Sequence, residues 1–371
     1  PSILGNLIEN NGGSGVFIST SSAQPVLPVI NTNTMRGHPY NEIYVKSTSG
    51  NLSNLTINAR QNYWGTTNYK TILQRIYDFM DDPNSPAVDF SQFLDSEGGT
   101  PIIGDYVHGR RLLTNTTWQF LKTPYVLLGN VSVPGNLTLT IEPGVNVKFD
   151  GNFELKIDGK LTAAGTAANN IVFDSNQSPP AAGQWKSLRF TPTSQRNTTD
   201  YLVVKYATTA IDINSIPLTL RNTQIETNTT GILTAGTLAN LNLTQSTIRS
   251  NGTGIKADTG SSITLTQNTI DQNITGIDLL NNAKATITGN TINSGTTGIS
   301  YTISQTSPNV PIINNNNITN QTKWQLKTSS SVNSSRVTIN AKNNWWGITN
   351  TQQISSKIQD YTDNVNYPVV E

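Results

Sequence analysis

Apolar and polar residues alternate along most of this chain, and in its second half the alternation returns at a nearly fixed distance. Leu218 and Leu220 are followed by Ile225 and then by Gly231 and Ile232. The same register recurs as Leu241, Leu243, Ile248, Gly254, Ile255, then as Ile263, Leu265, Ile270, Gly276, Ile277, and again as Ala285, Ile287, Ile292, Gly298, Ile299. The central isoleucines step by 23, 22 and 22 residues, then by 26 to Ile318. Alternation is a strand signal, and a period of this size means stacked supersecondary units. One turn of a right-handed parallel β-helix uses about this much chain, with coils stacked at ~4.8 Å. The pattern predicts an all-β solenoid whose aligned isoleucines form one interior stack.

A longer repeat lies over the short one. Residues 55–65 match residues 337–347 at an offset of 282, with Trp64 and Gly65 falling on Trp346 and Gly347. The register continues without a gap to Asp89 and Glu371. This predicts the C-terminal coils and cap of a first β-helix module in residues 1–97 and a second, nearly complete module in residues 98–371. Residue 371 falls where Phe90 would follow Asp89, and no leader-like stretch surrounds Pro1, so the expectation is a segment of a larger tandem-module protein. Within the first module, residues 6–8 and 15–17 read as one late coil and the Pro-rich residues 24–40 as a loop leaving it. Ile72, Leu73, Ile76, Tyr77 and Met80 fall at helical spacing, which predicts a short capping helix over residues 68–80, repeated over 350–361. Residues 81–101, with several prolines and the Gly98-Gly99 pair, read as a linker.

Composition narrows the partners. Only 13% of residues are charged and the net charge is +1, so neither nucleic acid nor an anionic membrane is implied. No apolar stretch approaches the ~20 residues of a membrane helix. Cysteine is absent, which removes disulfides and thiolate metal sites. A polar, low-charge, sequon-rich chain fits an extracellular or cell-surface protein.

Candidate chemistry is sparse. Glu226, Arg249, Asp271 and Asn293 each follow a key isoleucine and should stack on successive coils. Glu226 and Asp271 would then lie ~9.5 Å apart, the upper edge of the carboxylate spacing of an inverting glycosidase. Arg249 between them makes an alternating charge ladder the simpler reading. Glu154, Lys156 and Asp158 share one strand face, as an ion-paired surface or, with loop oxygens added, a calcium site. No other cofactor is expected. His38 and His108 lie in irregular segments and are expected at the surface. Trp118, Trp185 and Trp324 do not align into a sugar-binding stripe and are expected in caps or under loops. Asn268, Asn290 and Asn316 each precede a key isoleucine by two, which suggests stacked amides bonding coil to coil. Asn228, Asn251 and Asn273 open aligned Asn-x-Thr sequons and, with Asn54 and Asn136, are candidate glycosylation sites, although the repeat template alone generates the aligned three.

Residues 139–149, 161–166 and 171–173 resemble the opening coils of bacterial and archaeal surface β-helix proteins. The Asn-x-Ile and Gly-Ile coils and the Asn-Trp-Trp-Gly ending at residues 344–347 are similar to the right-handed parallel β-helix repeats of the pectate-lyase-like superfamily, including NosD-type proteins. That resemblance implies the fold, while the superfamily spans lyases, glycosidases, adhesins and structural surface proteins, so function must come from a site. The expectation is a non-enzymatic structural or adhesive rod segment of a surface layer, filament or adhesin, with neighbouring modules or copies of itself as partners. The alternative is a polysaccharide-active lyase or glycosidase, or a glycan-binding module.

Overall fold

The isoleucines that set the period lie directly above one another. Ile225 pairs with Ile248, Ile248 with Ile270, Ile270 with Ile292 and Ile292 with Ile318, in parallel register. None of the five is more than 1% exposed. Two further stacks close the core around them: Leu220, Leu243, Leu265, Ile287 and Ile313 on one side, and Ile232, Ile255, Ile277, Ile299 and Leu326 on the other. Each coil thus has three strands, of which Asn240–Thr244, Thr247–Arg249 and Thr253–Asp258 are one set. Because a strand exposes alternate residues on alternate faces, the intervening Thr, Asn and charged residues point outward. The apolar positions of the sequence are therefore the inner faces of three parallel sheets.

The molecule is known from a computed structural model that describes residues 1–22, 24–48 and 50–371. It divides into two compact units, Pro1–Gly109 with Leu121–Leu128, and Arg110–Phe120 with Gly129–Glu371. The first unit repeats the three-sheet plan over fewer coils. Ser2–Leu4, Val29–Asn31, Thr56–Asn58 and Ala87–Asp89 form one parallel sheet, Leu7–Glu9 and Thr34–Arg36 a second, and Val16–Thr20, Ile43–Ser47 and Ile76–Tyr77 a third.

The repeated glycine has a steric reason. A Cβ on Gly254 would stand 2.5 Å from the carbonyl oxygen of Gly276, and one on Gly276 equally close to that of Gly298. Each rung's backbone crosses the next at this corner too closely for any side chain, so glycine recurs there once per coil.

The offset of 282 is a structural repeat as well. Thr56–Asn58 pairs with Ala87–Asp89 just as Thr338–Ile339 pairs with Val369–Val370. Asp78 accepts from the backbone N–H of Val88, and Asp360 from that of Val370. Arg60 pairs with Asp89, and Lys342 with Glu371.

Three expectations change. The helices are shorter than their apolar spacing suggested, Tyr69–Gln74 and Thr351–Ser355, with Asn68 and Asn350 as their N-caps. Ile76 and Tyr77 lie in a strand beside Ile43 and Tyr44, and Met80 is exposed, so edge pairing wins over helical periodicity beyond residue 75. Residues 81–101 are not a linker: Val88, Phe90 and Phe93 are buried in the core of the first unit. Residues 24–40 are not a loop throughout, since Val29–Asn31 and Thr34–Arg36 are strands and Met35 is fully buried. Pro28 and Pro86 each sit just before a strand, where they remove no ladder bond.

Ile270→Asp should lower stability by several kcal/mol, about 3–5, because the carboxylate has no partner inside the stack. Thermal and urea unfolding followed by circular dichroism check this. An unchanged midpoint would mean that the side chain does not face the core.

Candidate functional site

Corners are the weak points of a coil. Where one strand turns into the next, the sheet ladder is interrupted and backbone groups lose their partners. In this chain the turn is made by a residue with left-handed backbone: Thr227, Ser250 and Gln272 at one corner, and Gln245, Gln267 and Asn315 at another, all with φ between 51° and 59°. The residue that follows carries an amide or a hydroxyl. Oδ1 of Asn251 accepts from the backbone N–H and Nδ2 of Asn228 (2.9 and 3.0 Å), while its own Nδ2 donates to the carbonyls of Ile225 (3.1 Å) and Arg249 (2.9 Å). Asn273 continues the series by accepting from Asn251 and donating to Ile248. At the other corner, Asn268, Asn290, Asn316 and Asn344 form a second series, each accepting from the amide one rung before at 2.9–3.0 Å. The asparagine amide supplies the donor and the acceptor that a peptide unit would have supplied.

Asn228, Asn251 and Asn273 are thus internal, at most 2% exposed, with Nδ2 engaged by backbone carbonyls or a neighbouring amide. A glycan on Nδ2 at any of these three candidate positions would remove those bonds. Asn54 and Asn136 are exposed.

The outward charges are used between rungs. Glu226 accepts from Nε and Nη2 of Arg249 (2.6 and 2.5 Å) and lies 3.4 Å from Nζ of Lys205. Asp271 accepts from Nδ2 of Asn293. Glu154 and Asp158 do not converge on a common point. Lys186 meets Glu154 at 2.7 Å and Lys156 meets Asp158 at 3.0 Å. Burial pushes the Asp158 carboxyl up, but hydrogen bonds from Thr191 and Lys156 outweigh it and hold it below the usual range. Among the described residues, no group of three or more His, Cys, Asp or Glu could hold a metal ion.

One outward carboxyl with a raised pKa was not singled out in the sequence. Lys256, Asp278, Ser300 and Lys327 lie in register on one outer face. Burial raises the pKa of Asp278, opposed by the Ser300 hydrogen bond and by Lys256 and Lys327, while Asp258 pushes it further up. Lys256 lies on the rung before it and Lys327 two rungs after it, so the carboxyl stands between two cations of one row. Tyr301 is also held protonated, pushed up to about 12 by burial, with its hydroxyl donating to the carbonyl of Asn309.

Both histidines are buried, which corrects the expectation of surface loops. Nδ1 of His38 hydrogen bonds Oε2 of Glu42, whose Oε1 accepts from Nε and Nη2 of Arg75 (3.1 and 2.7 Å). Nη2 of Arg75 also donates to the His38 carbonyl at 2.6 Å. His108 lies 3.4 Å from Asp78 and edge-on to Phe90. A general base must reach a substrate proton, and neither imidazole has an open approach. His38 is sealed by the Gly15 backbone, where an added Cβ would meet its ring at 2.8 Å. The spacing of His38 and Glu42 was visible in the sequence, but Arg75 comes from 33 residues away.

Of the tryptophans, Trp118 and Trp185 are buried and Trp324 is partly exposed. Trp185 stacks on Phe149 at 4.0 Å and donates from Nε1 to the Lys205 carbonyl. A ring row does exist elsewhere, with Phe17, Tyr44 and Tyr77 stacked at 5.3 and 4.4 Å on one outer face of the first unit. Tyr44 lies between the other two rings, and Phe17 at the end of the row is 65% exposed. A groove of about 490 Å³ runs over the Asn268 corner, lined by Gln245, Thr247, Gln267, Thr269 and Thr291 among others. Its lining is amide and hydroxyl without an ionisable side chain.

Residues 193–345 match the family described as the right handed beta helix region. This stretch is a right-handed β-helix. The coils on either side of it continue the same parallel register. Protein bark beetle of Drosophila melanogaster is similar to this chain, 27% identical over 127 residues. The match covers 31% of this chain, which spans 4% of the length of that relative. The likeness carries the coil and no activity of the whole protein.

Two measurements check this geometry. In protein made through a eukaryotic secretory pathway, glycopeptide mass spectrometry should find occupancy at Asn54 or Asn136 and none at Asn228, Asn251 or Asn273. Arg75→Ala should destabilise the first unit by about 3 kcal/mol in urea titration, because it leaves Glu42 buried without its cation. A loss below about 1 kcal/mol, the scale of an exposed pair, would place the pair in solvent.

Proposed function

We propose that this chain is a non-enzymatic structural and adhesive segment of an extracellular or cell-surface protein, a β-helical scaffold that meets neighbouring modules or copies of itself. The observation that carries the reading is where the ionisable side chains are used. Glu226 with Arg249, Glu154 with Lys186, Asp212 with Arg189, and Glu42 with Arg75 each tie one part of the coil to another. Polysaccharide cleavage needs an acid and a base, or a metal, converging on one bond. Here several carboxylates are paired with cations along the stack, and the groove at the Asn268 corner is lined by neutral groups.

That groove favours a second reading. Gln245, Gln267, Thr247, Thr269 and Thr291 offer donors and acceptors in a periodic row, chemistry that suits the hydroxyls of a glycan, so glycan binding without turnover is the alternative function.

The test is a screen of pectins, alginates, xylans and β-glucans for reducing ends and unsaturated products, beside a glycan-binding array. The expected result is no turnover. Turnover lost in Asp278→Asn or Glu226→Gln would overturn the structural reading and identify a carboxylate-dependent enzyme. Array binding lost in Thr269→Arg, with no turnover, would establish the groove as the adhesive surface.

A further inference from the structure

The two copies of the 282-residue repeat differ in what covers their last strand. In the first unit, Trp64, Ile72, Ile76 and Val88 lie in one cluster with Phe90 and Phe93, which are 0% and 1% exposed. Tyr106 packs over both phenylalanines, at 5.0 and 5.9 Å between ring centres. The backbone N–H of Leu94 donates to the carbonyl of Asn62, so this segment is hydrogen-bonded to the coil as well as packed on it. Asp105 then reaches Arg60 at 3.4 Å, and His108 reaches Asp78 at 3.4 Å.

The equivalent positions of the second unit, Trp346, Ile354, Ile358 and Val370, line an open groove of about 240 Å³. Ile72, Ile76, Asp78 and Val88 are buried, whereas Ile354, Ile358, Asp360 and Val370 are each partly exposed. The backbone is already set, since Ala341 donates to the carbonyl of Glu371 as Ala59 does to that of Asp89. Lys342 stands where Arg60 stands, and Asp360 where Asp78 stands.

We propose that this groove is a socket for an extended peptide segment of the residue 90–108 type: aromatic side chains at its first and fourth positions, then a carboxylate for Lys342 and an imidazole for Asp360. The two aromatics fill the space between Trp346, Ile354 and Val370, and the charged groups fix direction and register. Such a segment closes the last coil of a β-helical module. This deepens the structural reading of the chain and rests on it, but its test does not depend on the polysaccharide screen.

The probe is a synthetic peptide of residues 90–108, added to the full chain, with the fluorescence of tryptophan as one readout and anisotropy of a labelled peptide as another. Saturable binding is expected, weakened about tenfold or more by Phe90→Ala and Phe93→Ala together in the peptide, as the loss of two buried anchors implies. Ile354→Arg in the full chain should abolish it, which separates this socket from exchange into the first unit. A second measurement fuses residues 90–108 after Glu371. The melting temperature of the second unit should rise, and it should not rise when both phenylalanines are alanine. Absence of binding together with absence of a rise would overturn the proposal, and so would binding that survives Ile354→Arg.

Discussion

The structure depends on keeping backbone polar groups bonded at the corners of a coil. Along the strands this is automatic, since each rung pairs with the one above and the one below. At each turn a left-handed residue such as Ser250 breaks the ladder, and a buried amide or carbonyl left unpaired costs about 1–3 kcal/mol. The side chains of Asn251, Asn268 and their neighbours restore those bonds, and the three apolar stacks can then close. The same demand explains the composition: short amides and hydroxyls recur because they can stand in for a peptide unit without filling the core.

Much of this was legible in the chain because a parallel coil is periodic. Ile225, Ile248, Ile270 and Ile292 were placed in one stack by spacing alone, and Glu226, Arg249 and Asp271 fell into an alternating row. What stayed hidden had no period. Phe90 and Phe93 occur once, in a proline-rich stretch whose composition reads as linker, yet they close the core of the first unit. Arg75 meets Glu42 across a whole coil, a pairing no local pattern records. Asn228, Asn251 and Asn273 were ambiguous for a different reason. The residues that make a corner amide also spell a sequon, and only burial tells the two apart.

Charge shows the same economy of use. In a chain with few ionisable residues, each outward carboxylate with a cation on the neighbouring rung adds to register as much as to stability, since opposite charges on adjacent strands favour one alignment over a slip.

The corner amides also give the coil a polarity. The N–H of Asn228 is received by Asn251, that of Asn251 by Asn273, and that of Asn268 by Asn290, always by the rung that comes later in the chain. The strand bonds at the same corners run the other way, since Gly252 donates to the carbonyl of Asn228 and Ile274 to that of Asn251. Either end of the stack is therefore short of partners for donors and acceptors alike, and an added rung completes both sets at once.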